Sequence, residues 1–268
     1  MKYIVGFFMA WGNFCSLPCP YKRWNGDYKS VMLGFLPSIG FLIGIIWAAI
    51  YYGLVTLGFP FLVVSFILTF IPFALSGFTH MDGFMDCCDA IGSMRSIEEK
   101  QRILKDSHTG AFAVICTIFL VLGFFSFIST SLTTGIDYVN LIIIVVLSRS
   151  VSGLHVLICK PMGQSQYAAL EKTAEKTEET GSDENPTKQS SKKEGIVLIF
   201  VQLAIILTTA FILSRHLWGT LIVGAAVAFG SSLAILRGRK QLGGMSGDIA
   251  GYGIVWGEFA GVIALIFC

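Results

Sequence analysis

The sequence predicts an all-α protein that crosses a membrane several times as a helical bundle. Of its 268 residues, 54% are hydrophobic and 13% are charged. Several apolar runs reach the length of about 20 residues that a helix needs to cross the hydrocarbon core of a bilayer. The lysines and arginines are confined to a few segments between these runs. We therefore expect a single membrane-embedded domain over residues 1–268, a multi-pass protein whose main surroundings are the lipid bilayer.

The apolar runs define the expected elements in chain order. Residues 1–17 are apolar but short, carry one lysine near their start and run into Pro18 and Pro20. We interpret them as an N-terminal interfacial or half-buried helix and not as a cleaved signal peptide. The seven predicted spans are residues 31–57, 61–78, 111–132, 139–158, 196–213, 217–236 and 249–267. Within the first span, Gly40 and Gly44 have the Gly-x-x-x-Gly spacing of packed membrane helices.

Residues 171–194 differ in composition from the rest of the chain. They are rich in acids, lysine, serine and threonine, and after Ala174 they contain almost nothing apolar. Such a segment cannot bury enough apolar surface to form a core. We expect a flexible charged cytoplasmic loop, or a charged helix that frays into one.

The basic residues predict the orientation of the bundle. They cluster in segments 18–30, 95–105, 160–193 and 237–240, and two predicted spans separate each cluster from the next. All four clusters therefore lie on one side, which the positive-inside rule identifies as cytoplasmic. We expect a protein of the cytoplasmic membrane with its active face toward the cytoplasm. The chain has no basic stripe of the kind that binds nucleic acid.

The most polar stretch between two long apolar blocks is residues 80–110, which begins with HMDGFMDCCD at 80–89. Asp82, Asp86 and Asp89 have i, i+4, i+7 spacing, so in a helix their carboxylates share one face and repel each other. Oxygen ligands suit Mg²⁺, and a divalent ion explains the cluster better than the alternative of a merely solvated loop. Thiols are poor Mg²⁺ ligands, so Cys87 and Cys88 are interpreted as spacers. The next segment adds further polar groups, namely Arg95, Lys100, Arg102, Lys105, Asp106 and Ser107.

Two later features have more than one interpretation. Arg149 lies inside the fourth predicted span, where an unpaired charge is costly. It either holds an anion in a polar cavity or pairs with a carboxylate. The segment RGRKQLGGMSGD at residues 237–248 combines cations, glycines and an acid. Its glycines either present backbone N–H groups to phosphate oxygens or form an ordinary turn between helices.

Three separated motifs resemble those of the cobalamin synthases, the adenosylcobinamide-GDP ribazoletransferases. They are HMDGFMDCCD at 80–89, KDSHTG at 105–110 and LGGMSGD at 242–248, with Glu258 beyond. LPCP at 17–20 and PSIG at 37–40 also fit, so the resemblance covers nearly the whole chain. The chain departs from the family pattern at Ala90, where glycine is common, at His108, where arginine is common, and in its insert at 171–194.

The resemblance implies transfer of an activated corrinoid from adenosylcobinamide-GDP to α-ribazole or its 5′-phosphate, with release of GMP. It implies Mg²⁺ as cofactor on Asp82, Asp86 and Asp89, with Asp106 and Asp248 as further ligands or one of them as general base. His80 would act as a base or an orienting group. Substrate binding would fall to Arg95, Arg102, Lys105, Ser107, Arg149, Gly243, Gly244, Gly247 and Glu258. The sequence leaves open the lower-ligand base and whether the protein forms a homo-oligomer.

Two other classes remain open at this stage. CDP-alcohol phosphotransferases also carry acid clusters, but three residues separate Asp82 from Asp86 and the second aspartate pair of that pattern is absent. A cation-coupled transporter also carries intramembrane carboxylates, often within inverted repeats. We find no such repeat in this sequence.

Overall fold

A computed structural model describes residues 1–163 and 186–268 of the chain, and over these residues the protein is built from helices. A single isolated β-bridge, between Pro161 and Met245, is the one strand-like contact in this part. Short 3₁₀ turns occur at Gly26–Tyr28 and Leu265–Phe267. The helices are α1 (Lys2–Phe14), α2 (Lys29–Gly34), α3 (Leu36–Thr56), α4 (Phe61–Leu75), α5 (Thr79–Gly92), α6 (Ile97–Ile103), α7 (Ala111–Thr134), α8 (Tyr138–Ile158), α9 (Pro186–Leu213), α10 (Leu217–Leu242) and α11 (Gly247–Ala264).

Six helical segments in the described part are long and apolar enough to cross a membrane. They are α3, α7, α8, α10, the part of α9 from Ser191 to Leu213, and α11 with its 3₁₀ extension. The predicted polytopic helical bundle is confirmed. The predicted second span at 61–78 is not one straight helix, because α4 ends at Leu75 and meets α5 at an angle of 90°.

The backbone between α4 and α5 explains the bend. Gly77 has a φ of 62° and Phe78 a φ of 57°, so both lie in the left-handed region and the helix cannot continue through them. Glycine tolerates this conformation, whereas phenylalanine adopts it rarely. The acidic motif therefore starts a new helix, α5, that runs across the direction of α4.

α8 and α11 form the centre of the bundle. In each, 67% of the apolar membrane-spanning stretch is buried inside the bundle, against 11% in α9, which lies at the periphery. Small residues allow the close contacts. A β-carbon on Gly257 or Gly261 of α11 would collide with α10, and the predicted pair Gly40 and Gly44 of α3 lies against the backbone of α8. Membrane helices use such small residues to bring their backbones together.

The connections between helices meet at two opposite ends of the bundle. At one end the backbone N–H of Arg215 donates to Asp137 Oδ2 at 3.0 Å, which joins the α7–α8 and α9–α10 loops. At the other end Lys100 Nζ donates to Gln241 Oε1 at 2.6 Å, and the β-bridge joins the residues after α8 to those before α11. The described parts of three basic segments therefore share one end, as the sequence predicted.

The N-terminal helix and the charged insert also bear on the predictions. α1 has 13 residues and is too short to cross a bilayer. The Lys2 ammonium lies 2.5 Å from the Glu194 carboxylate, which attaches the start of α1 to α9. Because α9 begins at Pro186, the expected loop is helical from 186 to 194. The rest of that loop, residues 171–185, lies outside the described residues.

Candidate active site

The site forms where α5 crosses the first turns of α11. A β-carbon on Gly83 would lie 2.8 Å from Asp248 Cα, and one on Gly251 would lie 3.0 Å from the His80 carbonyl oxygen. Both distances are below van der Waals contact, so these two glycines are what lets the helices approach. Their approach brings the acidic motif on α5 together with Asp248, which is distant from it in sequence.

Three carboxylates gather at this crossing without a cation of the protein to balance them. Asp82 is exposed, whereas Asp86 and Asp248 are partly buried. Partial burial, followed by the charges of Asp82, Asp248 and Asp89, acts against ionisation of Asp86. Within residues 1–163 and 186–268, the ion pairs involve other acids. Asp82, Asp86 and Asp248, which we call the carboxylate cluster, therefore carry uncompensated negative charge.

The carboxylate oxygens of this cluster are ligands of the type that Mg²⁺ prefers. Among the described residues, no three side chains of His, Cys, Asp or Glu are close enough to hold an ion by themselves. Mg²⁺, however, is usually held by one or two carboxylates, with water and substrate phosphates completing its octahedron. The cluster fits an ion of that kind, bound together with substrate, and does not fit a closed protein cage.

The structure uses Asp89 differently from the other acids of the motif. The backbone N–H of Gly110 donates to Asp89 Oδ2 at 2.6 Å, and that of Ala113 donates to Oδ1 at 2.9 Å. Both oxygens thus cap the first turn of α7, whose free N–H groups favour a negative charge. A β-carbon on Gly110 would lie 2.6 Å from Asp89 Oδ1, so the cap also requires this glycine. The geometry favours a structural role for Asp89, and we leave it out of the proposed ion site.

Asp106 and its neighbours lie on the surface at the same end of the bundle. The His108 ring and backbone N–H both lie within hydrogen-bonding distance of Asp106 Oδ1, and these bonds lower the pKa of Asp106. Asp106 is therefore engaged with His108 and is not one of the carboxylates that act on Asp86. Arg95, Arg102, Lys105 and Ser107 are exposed, and Arg95 makes a solvent-exposed pair with Glu99 at 3.4 Å. Lys100 is instead buried and donates to Gln241.

His80 lines a cavity of about 110 Å³ beside the carboxylate cluster. The side chain is 6% exposed, and its ring stacks on Phe14 with centroids 6.2 Å apart and planes 13° apart. Neither ring nitrogen has a hydrogen-bond partner among the described residues. A buried polar group without a partner is costly, which makes these nitrogens candidates for a ligand. Asp82 and Asp248 also line the cavity, so it opens into the cluster.

Arg149 and Glu258 pair with each other in the bundle core. The Arg149 guanidinium donates to Glu258 Oε1, and both side chains are almost completely buried. Arg149 also donates to Ser76 Oγ at 2.7 Å, at the bend between α4 and α5. Of the two interpretations drawn from the sequence, pairing with a carboxylate is the one the structure supports. Because the two charges balance each other, the geometry does not favour substrate binding by either residue.

Comparison with known proteins places this arrangement in a family. The family model described as cobalamin-5-phosphate synthase (CobS) matches residues 6–266. The chain belongs to this family. An adenosylcobinamide-GDP ribazoletransferase of Clostridium perfringens is 35% identical over 96% of this chain and 95% of its own length. Proteins of the same name from Clostridium botulinum and Geobacillus kaustophilus are 31% and 30% identical, each over 97% of this chain.

No solved structure matched the chain. The family match runs through all three motifs on which the resemblance rested, so membership of the cobalamin-5-phosphate synthase family is confirmed. It displaces the CDP-alcohol phosphotransferase and transporter alternatives.

The glycines of the LGGMSGD motif act within the family fold mainly as turn residues. Gly243 ends α10 with a φ of 80°, and a β-carbon on Gly244 would lie 2.7 Å from Met162. The turn interpretation thus accounts for the conformation of Gly243 and the close contact at Gly244. Gly247 differs, because it lines the cavity beside Asp248.

Two residues of this site gave no signal in the sequence. Phe14 comes from α1 and Ser152 from α8, and both line the cavity with His80. Each lies in an apolar run whose pattern indicates a membrane helix and nothing more. The bend after α4 and the crossing of α5 and α11 bring them together, and neither feature follows from local periodicity.

Proposed function

We propose that this chain is an adenosylcobinamide-GDP ribazoletransferase that works at the cytoplasmic face of the cell membrane with Mg²⁺. Its curated relatives carry that name over nearly their whole length. The observation that carries the chemical part is the carboxylate cluster of Asp82, Asp86 and Asp248, which has no balancing cation among the described residues. Exposed cations of α6 and the following loop lie at the same end of the bundle.

Each group has a defined task in this proposal. One or two of Asp82, Asp86 and Asp248 would hold the ion together with substrate phosphate and water. When bound, Mg²⁺ neutralises the charge that develops on the departing phosphate. Arg95, Arg102 and Lys105 bind the remaining phosphate oxygens from the solvent side. Asp89 keeps α7 attached to α5 and so maintains the position of the cluster.

The reaction exchanges a phosphoanhydride bond for a phosphate ester bond. A ribose hydroxyl oxygen of ribazole, one that is free in both α-ribazole and its 5′-phosphate, bonds to the phosphorus atom next to the corrinoid side chain, and the anhydride bond to GMP breaks. The hydroxyl proton passes to a carboxylate of the cluster that does not hold the ion, or to His80. The protein contributes mainly alignment of the two substrates and stabilisation of charge, as in other phosphoryl transfers.

Purified protein in detergent or nanodiscs tests this proposal. We expect GMP release from adenosylcobinamide-GDP and α-ribazole, dependent on both substrates and on Mg²⁺. EDTA should stop the reaction and added Mg²⁺ should restore it. Absence of GMP with both substrates and Mg²⁺ present would refute the proposed activity. Full activity in EDTA would refute only the proposed requirement for Mg²⁺.

Reporter fusions test the proposed membrane side. An alkaline phosphatase domain fused after Met94, at the end that holds the site, should be inactive because it stays in the cytoplasm. A fusion after Asp137, at the opposite end, should be active. The reverse pattern would place the site outside the cell.

A further inference from the structure

We infer that the cavity between α1, α5, α8 and α11 binds the aromatic base of the ribazole substrate, with the reacting ribose hydroxyl directed toward Asp82 and Asp248. This inference rests on the proposed function and adds to it the location of the smaller substrate. Three properties of the cavity support it, namely its size, its wall and its unpartnered histidine.

The size of the cavity decides which of the two substrates can enter it. The cavity measures about 110 Å³, which is somewhat less than the roughly 150 Å³ of an apolar cavity that binds benzene. Because the cavity is open on one side, one edge of a planar base can enter it, with the remainder of the molecule extending through the opening. A corrin macrocycle with its amide arms is far too large to enter. The ribosylated base is thus the part of the reaction that fits.

The wall of the cavity favours a neutral aromatic group. Its inner surface is formed by Leu33, Leu36, Val156 and Ile254, and the stacked rings of Phe14 and His80 supply an aromatic side. No lysine or arginine is among the lining residues, whereas two aspartates stand at the opening. An anionic phosphate is therefore disfavoured inside. Aromatic rings gain from offset or edge contacts with other rings.

The hydrogen-bonding capacity of the wall distinguishes the ribazole base from guanine. Ser152 Oγ already donates to the Ala250 carbonyl oxygen at 3.0 Å, which leaves the two ring nitrogens of His80 as the unused buried groups. A ribosylated benzimidazole has one free ring nitrogen, which one histidine can satisfy. Guanine has several donors and acceptors, which this apolar wall would leave unpaired at high cost.

The cavity also orients the nucleophile. With the base inside, the sugar lies at the opening, where Asp82 and Asp248 line the cavity. The reacting ribose hydroxyl then faces the carboxylate cluster, and the GDP-activated corrinoid approaches from the solvent side where the exposed cations of α6 lie. Two substrates of very different size thus reach one point from opposite directions.

Calorimetric titration of α-ribazole into the wild-type protein, without corrinoid, tests the inference directly. We expect binding that GMP does not compete away. Phe14→Leu removes the stacked ring, and His80→Phe keeps a ring but removes both nitrogens. Each should weaken α-ribazole binding about tenfold, equivalent to about 1.4 kcal/mol. Val156→Phe fills the cavity and should also weaken binding, without removing any contact that the free protein makes.

Phe7→Leu is the matched control, because Phe7 lies on the same helix and packs against Phe35, outside the cavity. It should leave α-ribazole affinity within about twofold of wild type. In turnover assays the KM for α-ribazole should rise in the three cavity variants. The KM for adenosylcobinamide-GDP should stay within about twofold.

The outcomes separate this inference from the proposed function. If wild-type protein releases GMP but α-ribazole affinity is unchanged in all three variants, the base lies elsewhere and the enzyme assignment stands. Competition by GMP, or no binding of α-ribazole to wild type, would also overturn the inference. If α-ribazole binds and the variants respond but no GMP forms, the binding site stands and the proposed reaction is wrong.

Discussion

Two groups of charged side chains in this bundle differ in whether their charges are paired. Arg149 and Glu258 lie in the core, on α8 and α11, and balance each other. Asp82, Asp86 and Asp248 lie at one end, where α5 crosses α11, and no residue of the described part forms an ion pair with them. The first group has its partner inside the protein, whereas the second has a partner still to bind.

This difference helps to separate structural charges from functional ones. A buried charge in a membrane protein is expensive, so its presence alone indicates a purpose. Whether the charge has a partner within the protein indicates whether that purpose is structural or functional. The core pair is complete and also holds Ser76 at the bend, so its loss should affect folding. The carboxylate cluster is repulsive as it stands, so its loss should affect activity while the fold survives.

The largest effect is expected from the cluster. Asp82→Asn and Asp248→Asn each remove one negative charge with little change of size, so GMP release should fall at least about a hundredfold. Thermal unfolding temperature without Mg²⁺ should be unchanged or higher, because repulsion is relieved. Asp27→Asn, a change to an exposed acid outside the cluster, should leave both quantities near wild type. Near-normal turnover in both cluster variants would mean that these carboxylates are a solvated surface.

Breaking the core pair should have the opposite profile. Glu258→Gln leaves the Arg149 guanidinium buried without its counter-charge, at an expected cost of about 3 kcal/mol or more in unfolding free energy. Unfolding in detergent, followed by circular dichroism, measures this loss. The double variant Arg149→Met with Glu258→Leu should recover much of it, since an apolar pair needs no desolvation. A stable Glu258→Gln protein with low activity would instead place the pair among the functional groups.

Asp89 should behave as a structural residue despite its place in the acidic motif. Asp89→Ala removes the cap of α7, and we expect a loss of about 1 kcal/mol of stability. The informative comparison is with Asp82→Asn, which should cost nothing by the same unfolding measurement. Equal stability of the two variants would argue against the cap and return Asp89 to the candidate ion ligands.

The smallest stability effect is expected at the surface. Arg95→Gln breaks an exposed pair with Glu99, and such pairs contribute at most about 0.5 kcal/mol. Any effect should therefore appear in the KM for adenosylcobinamide-GDP, and it should weaken at high salt, which screens exposed charges. Unchanged kinetics at low and high salt would remove Arg95 from the phosphate-binding residues.

Local sequence patterns predicted a large part of this fold. Long apolar runs identified α3, α7, α8 and α10 because hydrocarbon selects for length and composition alone. The helical spacing of Asp82 and Asp86 predicted that they share a face of α5. The prediction of one straight span at 61–78 was wrong. The two residues after Ser76 have left-handed backbone conformations that redirect the chain, and a hydropathy pattern carries no information on backbone conformation.

The site was predicted less completely, because the sequence does not show which side chains contact each other. The sequence shows that Asp89 is an acid but not that the first turn of α7 lies against it. Likewise Arg149 could be placed in a span, while its partner on α11 became identifiable only from the packing of the bundle. The contribution of Phe14 depends on α1 folding back onto α5, a long-range contact without a local signature.

The early end of α4 has a consequence for the lipid around this protein. Its 15 residues rise about 22 Å, whereas the hydrocarbon core of a bilayer is about 30 Å thick. The 21 residues of α3 match that thickness. The apolar length of the bundle is therefore smaller on the side of α4 than on the side of α3. Hydrophobic mismatch of this kind thins the adjacent bilayer. We expect headgroups and water to be drawn inward beside α5, which would give charged substrates an aqueous approach to the carboxylate cluster.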